Sequence, residues 1–220
     1  MNLQLAAKVE SAYSSPPWWY DLRGFLILKS SYRGSLCSQI AFFERNLRQR
    51  HLEVAIGSGT LYSMVQTWHR WKGRPAPQVV GVDYAEKMLD GARHRFRHQP
   101  EMELLQCDVT DLPFPDAAFD SVNVANAFHC FADADAALDS ICRVMSPGGT
   151  LAINVLLYPR GWQPFRWLSE RVNRWGIRKG ILHTPYREED VRERLLARGL
   201  TITHERVAGN CYFVVAQKSR

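Results

Sequence analysis

The chain has 220 residues, of which 46% are hydrophobic and 23% charged, a composition typical of a globular protein rather than a disordered one. The formal net charge of +6 is spread along the chain, so an anionic partner is allowed but nucleic acid is not indicated. The five cysteines are widely spaced, without a Cys-x-x-Cys pair, and predict neither a disulfide framework nor a metal site. We expect a cytoplasmic protein with no targeting segment and no membrane span.

Short apolar runs alternate with longer segments of helical periodicity through the first two thirds of the chain. The predicted strands are His51–Ala55, Val79–Asp83, Glu103–Cys107, Ser121–Ala125 and Leu151–Val155. The predicted helices are Leu61–Trp71, Ala85–Phe96 and Asp133–Val144. Such alternation predicts an α/β fold in which helices cover both faces of a parallel sheet.

The pattern changes after the fifth strand, where residues 161–180 are rich in tryptophan and arginine. Phe165, Leu168, Val172 and Trp175 have helical spacing, which predicts a helix that packs most of this stripe on the domain. A further helix, Arg187–Arg198, precedes two predicted antiparallel strands, Leu200–Val207 and Cys211–Gln217. We expect residues 1–220 to form one domain.

The carboxyl ends of the strands are where an open parallel sheet binds ligands. Gly57 and Gly59 follow the first strand and permit a tight turn whose N–H groups face a ligand, although a plain strand–helix connection would have the same glycines. Asp83 ends the second strand 24 residues after Gly59, close to the offset of a ribose-binding carboxylate. Tyr62 stands where a dinucleotide motif has its third glycine and would keep a pyrophosphate away, so a nucleoside without phosphates fits better.

The segments "LEVAIGSG", "VVGVDYAEKML", "LLQCDVTDLPFPDAAFDSV", "VANAFHCF" and "RVMSPGGTLAINV" occur in an order that resembles the class I S-adenosylmethionine-dependent methyltransferases of the broad methyltransferase type 11, ubiquinone-biosynthesis-like group. The resemblance runs from Arg50 to Ile153 and, more faintly, from Thr184 to the C-terminus. It implies a Rossmann-like fold with a mostly parallel seven-stranded sheet, an antiparallel C-terminal hairpin and S-adenosylmethionine as cofactor.

The resemblance also implies which residues hold the cofactor. Those expected to shape the loop under its methionine portion are Glu53, Ala55, Gly57, Ser58 and Gly59. Ala55 replaces the usual first glycine of this motif, and we expect it to have an ordinary strand-end φ.

The nucleoside and amino-acid ends of the cofactor have their own implied partners. Asp83 is expected at the ribose, Tyr84 and Met88 against the adenine, Asp108 at the adenine amino group, Val109 over the ring, and the Asn126 backbone at the amino-acid end. The alternatives are that Asp83 and Asp108 cap the helices that follow them and that Met88 belongs to the core.

The acceptor side lies outside the shared motifs, in an N-terminal helical lid at about residues 1–48 and an insertion at about 157–185. Trp19 and Tyr20 are candidate lid residues around the sulfonium, because aromatic faces attract positive charge.

Three further residues are candidates for the catalytic site. His129 is a candidate general base, although the histidine of "NAFHCF" can equally be structural. Asn123 and Asn154 interrupt apolar strands and need hydrogen-bond partners, either substrate or backbone.

Three functions remain open from the sequence. The first is methyl transfer to a small molecule of secondary metabolism, by a monomer or homodimer. The second, as in enzymes that resemble azetidine-2-carboxylate synthases, is cyclisation of S-adenosylmethionine with release of methylthioadenosine. The third is an RNA methyltransferase or a non-catalytic adaptor, for which neither a base-flipping tetrad nor an RNA-binding module is present.

Overall fold

The computed structural model describes residues 35–159, 165–178 and 183–220, so Trp19, Tyr20 and most of the predicted lid lie outside the described residues. The helices are α1 (Leu36–Arg45), α2 (Thr60–Trp71), α3 (Glu86–Phe96), α4 (Ala134–Val144), α5 (Phe165–Arg178) and α6 (Glu188–Leu196). The strands are β1 (Arg50–Val54), β2 (Gln78–Asp83), β3 (Met102–Gln106), β4 (Phe119–Val124), β5 (Met145–Leu156), β6 (Leu200–Ala208) and β7 (Cys211–Lys218).

The seven strands form one sheet in the order β3-β2-β1-β4-β5-β7-β6. The strands β1 to β5 pair in parallel, and β7 lies antiparallel to both β5 and β6. The predicted mostly parallel sheet with an antiparallel C-terminal hairpin is therefore confirmed. The strand order reverses between β1 and β4, and this places the ligand-binding crevice beyond their carboxyl ends.

Helices cover both faces of this sheet. On one face, α1 contributes Phe42 and Phe43 to an apolar cluster with Phe213 of β7, while Ala92 and Phe96 of α3 pack with Val79 of β2. On the other face, a larger cluster joins residues of α4 and α6 to β1, β4 and β5; it includes Leu138, Ile141, Val191, Leu195, Leu52 and Val122. Within the described ranges, no helix is long and apolar enough to cross a membrane.

The fifth strand is longer than its apolar pattern predicts, since β5 begins at Met145 rather than at Leu151. Met145 pairs with Phe119, and a register shift separates this pair from the regular pairing that starts at Ser121 and Thr150. The intervening Pro-Gly-Gly sequence looks like a plain turn, but here it lies within a strand interrupted by a bulge.

The helix predicted from the stripe at Phe165 is present as α5, and Trp175 of this stripe is 40% exposed. The buried positions of α5 include Ser169 and Asn173, and the Asn210 side chain donates to Ser169 Oγ at 3.3 Å. Trp175 is about 200° around the helix from Asn173, and therefore points to the opposite side.

Candidate functional site

The loop after β1 has an unusual backbone, because Ala55, Gly57 and Gly59 all have positive φ angles of 55°, 59° and 74°. The expectation that Ala55 has an ordinary strand-end φ is wrong: the chain turns here in the left-handed region, which favours glycine. A Cβ on Gly57 would meet no atom within 4 Å, whereas one on Gly59 would lie 2.3 Å from the Phe96 ring. Gly57 thus leaves open space for a ligand, and Gly59 makes room for α3.

Asp83 joins the end of β2 to this loop. Its Oδ2 accepts a hydrogen bond from the Gly57 N–H at 2.7 Å, and its Oδ1 accepts from the Ala85 N–H at 2.9 Å. Burial raises the pKa of this carboxyl, against the lowering effect of the backbone N–H bonds from Ala85, Gly57 and Tyr84. Asp83 is not the cap of α3, because the N-cap is Ala85, which makes no side-chain capping bond. The bond from Gly57 instead ties Asp83 to the open loop.

The neighbouring strand end carries Asp108, whose Oδ1 accepts from the Thr110 N–H at 3.0 Å and from Thr110 Oγ1 at 2.8 Å. This carboxylate caps the short 3-10 helix Val109–Asp111, which brings Val109 to the same edge of the sheet. Since the Cys107 N–H donates to the Asp83 carbonyl at 3.2 Å, the ends of β2 and β3 lie side by side.

Three more of the implied cofactor residues make contacts with protein groups, and their role at the cofactor stays a prediction. Met88 is only 1% exposed and packs in the core, as its alternative interpretation expects. The Ser58 side chain is buried and lies 3.0 Å from Thr60 Oγ1. Tyr84 is partly buried, and its carbonyl accepts from the Gln106 side chain at 3.0 Å.

Asn123 does not reach the crevice, because it is fully buried in the sheet. Its amide donates to Glu53 Oε1 at 2.7 Å and accepts from Asn46 at 2.9 Å. Glu53 Oε1 is also 2.9 Å from His51 Nε2, and His51 Nδ1 is 2.7 Å from Ser121 Oγ. Glu53 and Asn123 therefore belong to a buried polar chain, and the partners of Asn123 are protein groups rather than substrate.

Asn154 bonds to residue 126 at the end of β4. Its Oδ1 accepts from the Asn126 N–H at 2.6 Å, and its Nδ2 donates to Asn126 Oδ1 at 2.6 Å. Gln39 of α1 exchanges two further amide hydrogen bonds with the Asn126 side chain, at 3.1 and 3.3 Å. Sequence reasoning missed Gln39, although a glutamine three residues before Phe42 on an apolar helix face is a signal that a buried partner is needed.

His129 lies just beyond β4 and is 5% exposed. Its Nδ1 accepts from the Leu156 N–H at 3.4 Å, and its carbonyl accepts from the N–H groups of His183 and Thr184. Burial lowers the pKa of this imidazole to about 3, so it is neutral at neutral pH. These contacts connect β5 to the chain that returns after the insertion and favour the structural interpretation; its role as a base stays a prediction.

The strand ends together offer a carboxylate, open space over a glycine turn and backbone groups held in place. A partly buried carboxylate with backbone N–H partners suits the hydroxyl pair of a ribose, and the space beside Gly57 suits a ligand without phosphate groups. The structure thus fits a nucleoside cofactor at the carboxyl ends of β1 to β4.

Comparison with known proteins agrees with this geometry. Residues 52–153 match a family model described as a methyltransferase domain. The demethylmenaquinone methyltransferase of Thermus thermophilus is 40% identical over 48% of this chain and 46% of its own length. The ubiquinone/menaquinone biosynthesis C-methyltransferase UbiE of Cupriavidus metallidurans is 30% identical over 76% of this chain and 72% of its own length.

Among solved structures, phosphoethanolamine N-methyltransferase 2 of Haemonchus contortus, in complex with phosphomonomethylethanolamine and S-adenosylhomocysteine, has the same fold. It matches with a TM-score of 0.68 and 18% identity over 84% of this chain and 53% of that one. The chain spans 40% to 58% of the length of three demethylmenaquinone methyltransferases that it matches.

Proposed function

The chain belongs to the class I S-adenosylmethionine-dependent methyltransferases, and from this we propose that it transfers a methyl group to a carbon atom of a small quinone-type aromatic acceptor. One observation carries the proposal. The alignment with a C-methyltransferase named for quinone biosynthesis covers 182 residues, well beyond the matched domain at 52–153. Relatives that share only the cofactor-binding segment would support no particular acceptor.

The residues at the strand ends can hold the cofactor that this family uses. Asp83 would accept hydrogen bonds from the ribose hydroxyls, the turn at Gly57 would leave space for the methionine portion, and the Asn126 backbone would face its amino-acid end. S-adenosylmethionine supplies an electrophilic methyl group when bound. What the protein adds is alignment of the acceptor in line with that methyl group, together with exclusion of water.

An electron-rich aromatic carbon needs little help from a base, which agrees with the surroundings of His129. Its Nδ1 accepts a backbone hydrogen bond, and its ring is buried and neutral. The proton that the methylated ring carbon loses is therefore taken up by solvent. The lid at about residues 1–48, with Trp19 and Tyr20, remains a proposal for how the acceptor is covered.

The proposal is tested by incubating the full chain with S-adenosylmethionine and a demethylated naphthoquinol under reducing conditions, followed by mass spectrometry. We expect S-adenosylhomocysteine and a product one methyl group heavier, formed in equal amounts. The Gly57→Val variant should form neither, whereas Gly73→Val, at a glycine that also has positive φ and open space, should keep activity.

Two results would contradict the proposal and identify an alternative. Methylthioadenosine formed from the cofactor alone would indicate cyclisation to azetidine-2-carboxylate. Methylation of RNA added in place of the quinol, with no transfer to the quinol itself, would indicate a nucleic-acid substrate.

A further inference from the structure

We propose that Gln39 of α1 is a positioning residue, which orients the Asn126 backbone toward the amino-acid end of S-adenosylmethionine. The inference rests on the proposed cofactor site but not on the identity of the acceptor. Helix α1 would then help to hold the cofactor, although it precedes every predicted cofactor-binding residue in the chain.

Gln39 lies on the inner side of α1 and is fully buried. Its Nε2 donates to Asn126 Oδ1 at 3.3 Å, and its Oε1 accepts from Asn126 Nδ2 at 3.1 Å. Burying a primary amide among apolar side chains is unfavourable unless its hydrogen bonds are satisfied. Leucine or methionine would pack better in the apolar cluster around Phe42 and Phe43. What glutamine adds at this position is the pair of amide hydrogen bonds to Asn126.

Asn126 needs this support because its φ angle is 56°. Asparagine tolerates the left-handed region better than most residues, but the conformation still carries a cost. Asn154 holds the Asn126 N–H and side-chain oxygen from β5, at 2.6 Å each, and Gln39 holds the same side chain from α1. The Asn126 side chain is thus bound from two elements, and these bonds fix the orientation of the peptide that follows.

The peptide that follows Asn126 lies beside the proposed cofactor site. Asn126 comes two residues after Val124, the last residue of β4, and Val124 pairs with Val54 at the end of β1. The strand order reverses between these strands, so the peptide lies beside the open turn at Gly57. A carbonyl oxygen fixed there can accept a hydrogen bond from the ammonium group of the cofactor, while Asp83, one strand away, serves the ribose.

The proposal is tested by comparing two ligands that differ in whether they carry the amino-acid end of the cofactor. S-adenosylhomocysteine has both the nucleoside and the amino-acid end, whereas 5′-methylthioadenosine has only the nucleoside end. For Gln39→Met we expect S-adenosylhomocysteine to bind about tenfold more weakly in titration calorimetry, since one well-placed hydrogen bond contributes about that much. The affinity for 5′-methylthioadenosine should stay within about twofold of the wild-type value.

Gln66→Met is the matched control, because Gln66 is also a buried glutamine and donates to the Gln99 side chain at 2.8 Å, away from the strand ends. This variant should bind both ligands as the wild type does. If Gln39→Met does not fold, Asn126→Gly is the second variant: glycine tolerates the positive φ but has no side chain to anchor, so the same selective loss is expected.

Equal weakening of both ligands by Gln39→Met, or of neither, would overturn the positioning role while leaving the methyltransferase proposal intact. Selective weakening in a protein that does not methylate a quinol would support the role of Gln39 and contradict only the acceptor.

Discussion

At the scale of single residues, Ala55 holds a conformation that L-amino acids avoid, with φ at 55°. We expect Ala55→Gly to raise the free energy of unfolding by up to about 1 kcal/mol, because relief of the left-handed strain outweighs the larger entropy of glycine in the unfolded chain. Urea denaturation measures the change. Ala85 is a suitable control, since it is buried with φ at −85°, and Ala85→Gly should destabilise the protein. Similar destabilisation by both substitutions would show that residue 55 is not strained.

His129 should make the protein sensitive to mild acid. Burial lowers the pKa of its imidazole from 6.5 to about 3, so between these values the unfolded chain binds a proton that the folded chain does not. The contribution of His129 to stability is therefore complete above about pH 6.5 and is lost as the pH falls toward 3, by about 1.4 kcal/mol per pH unit.

The wild type should thus lose about 2 kcal/mol more unfolding free energy than His129→Gln between pH 7.5 and pH 5. Urea denaturation of both proteins at the two pH values tests this. An equal loss in both would mean that His129 titrates as an exposed histidine does.

Asp83 should link cofactor affinity to pH. Asp83→Asn should weaken S-adenosylhomocysteine binding by about 1–3 kcal/mol in titration calorimetry, because charged acceptors make the stronger hydrogen bonds. Burial raises the pKa of this carboxyl above its usual 3.8, so wild-type affinity should begin to fall at a pH where an exposed aspartate is still ionised. The variant should lack this extra decline; wild-type affinity in the variant would disprove the ribose assignment.

At the scale of elements, the polar chain through Asn123 ties the end of α1 to the centre of the sheet. Asn46, the C-cap of α1, donates to the Val122 carbonyl and to Asn123 Oδ1, both at 2.9 Å. Asn123→Leu should lower the free energy of unfolding by about 3 kcal/mol, since it removes a donor from the buried Glu53 carboxylate and an acceptor from Asn46.

A double-mutant cycle identifies the cause of this loss. Replacing both partners of a buried polar pair costs less than orphaning one of them, so Asn123→Leu combined with Glu53→Met should be less destabilising than the sum of the two single changes. Strict additivity in urea denaturation would indicate that the two side chains are not coupled.

At the scale of the whole molecule, cofactor binding should appear as thermal stabilisation. S-adenosylhomocysteine at about one hundred times its dissociation constant adds about 2.7 kcal/mol, which raises the melting temperature of a chain of this size by roughly 5–10 °C. Gly57→Val should abolish this increase, because the side chain would fill the space left for the ligand.

Gly73→Val separates this effect from backbone strain. Gly73 also has positive φ, at 69°, and open space around its Cα. Both variants should melt at lower temperature without ligand, but only Gly73→Val should keep the ligand-induced increase. The absence of that increase in both would mean that the loss reflects general destabilisation.

The sequence by itself determined the order of elements, the parallel sheet with its C-terminal hairpin, and the family. These features depend on local periodicity and on motif spacing, such as the offset from Gly59 to Asp83, which a linear chain records directly. The tertiary structure alone decided which polar side chains meet. Gln39 and Asn126 are 87 residues apart in the chain, and Asn46 and Asn123 are 77 apart, so no local pattern could pair them. The left-handed turn at Ala55 could not be predicted from the sequence either, because alanine is common in ordinary strand ends. Only the packed loop forces the positive φ.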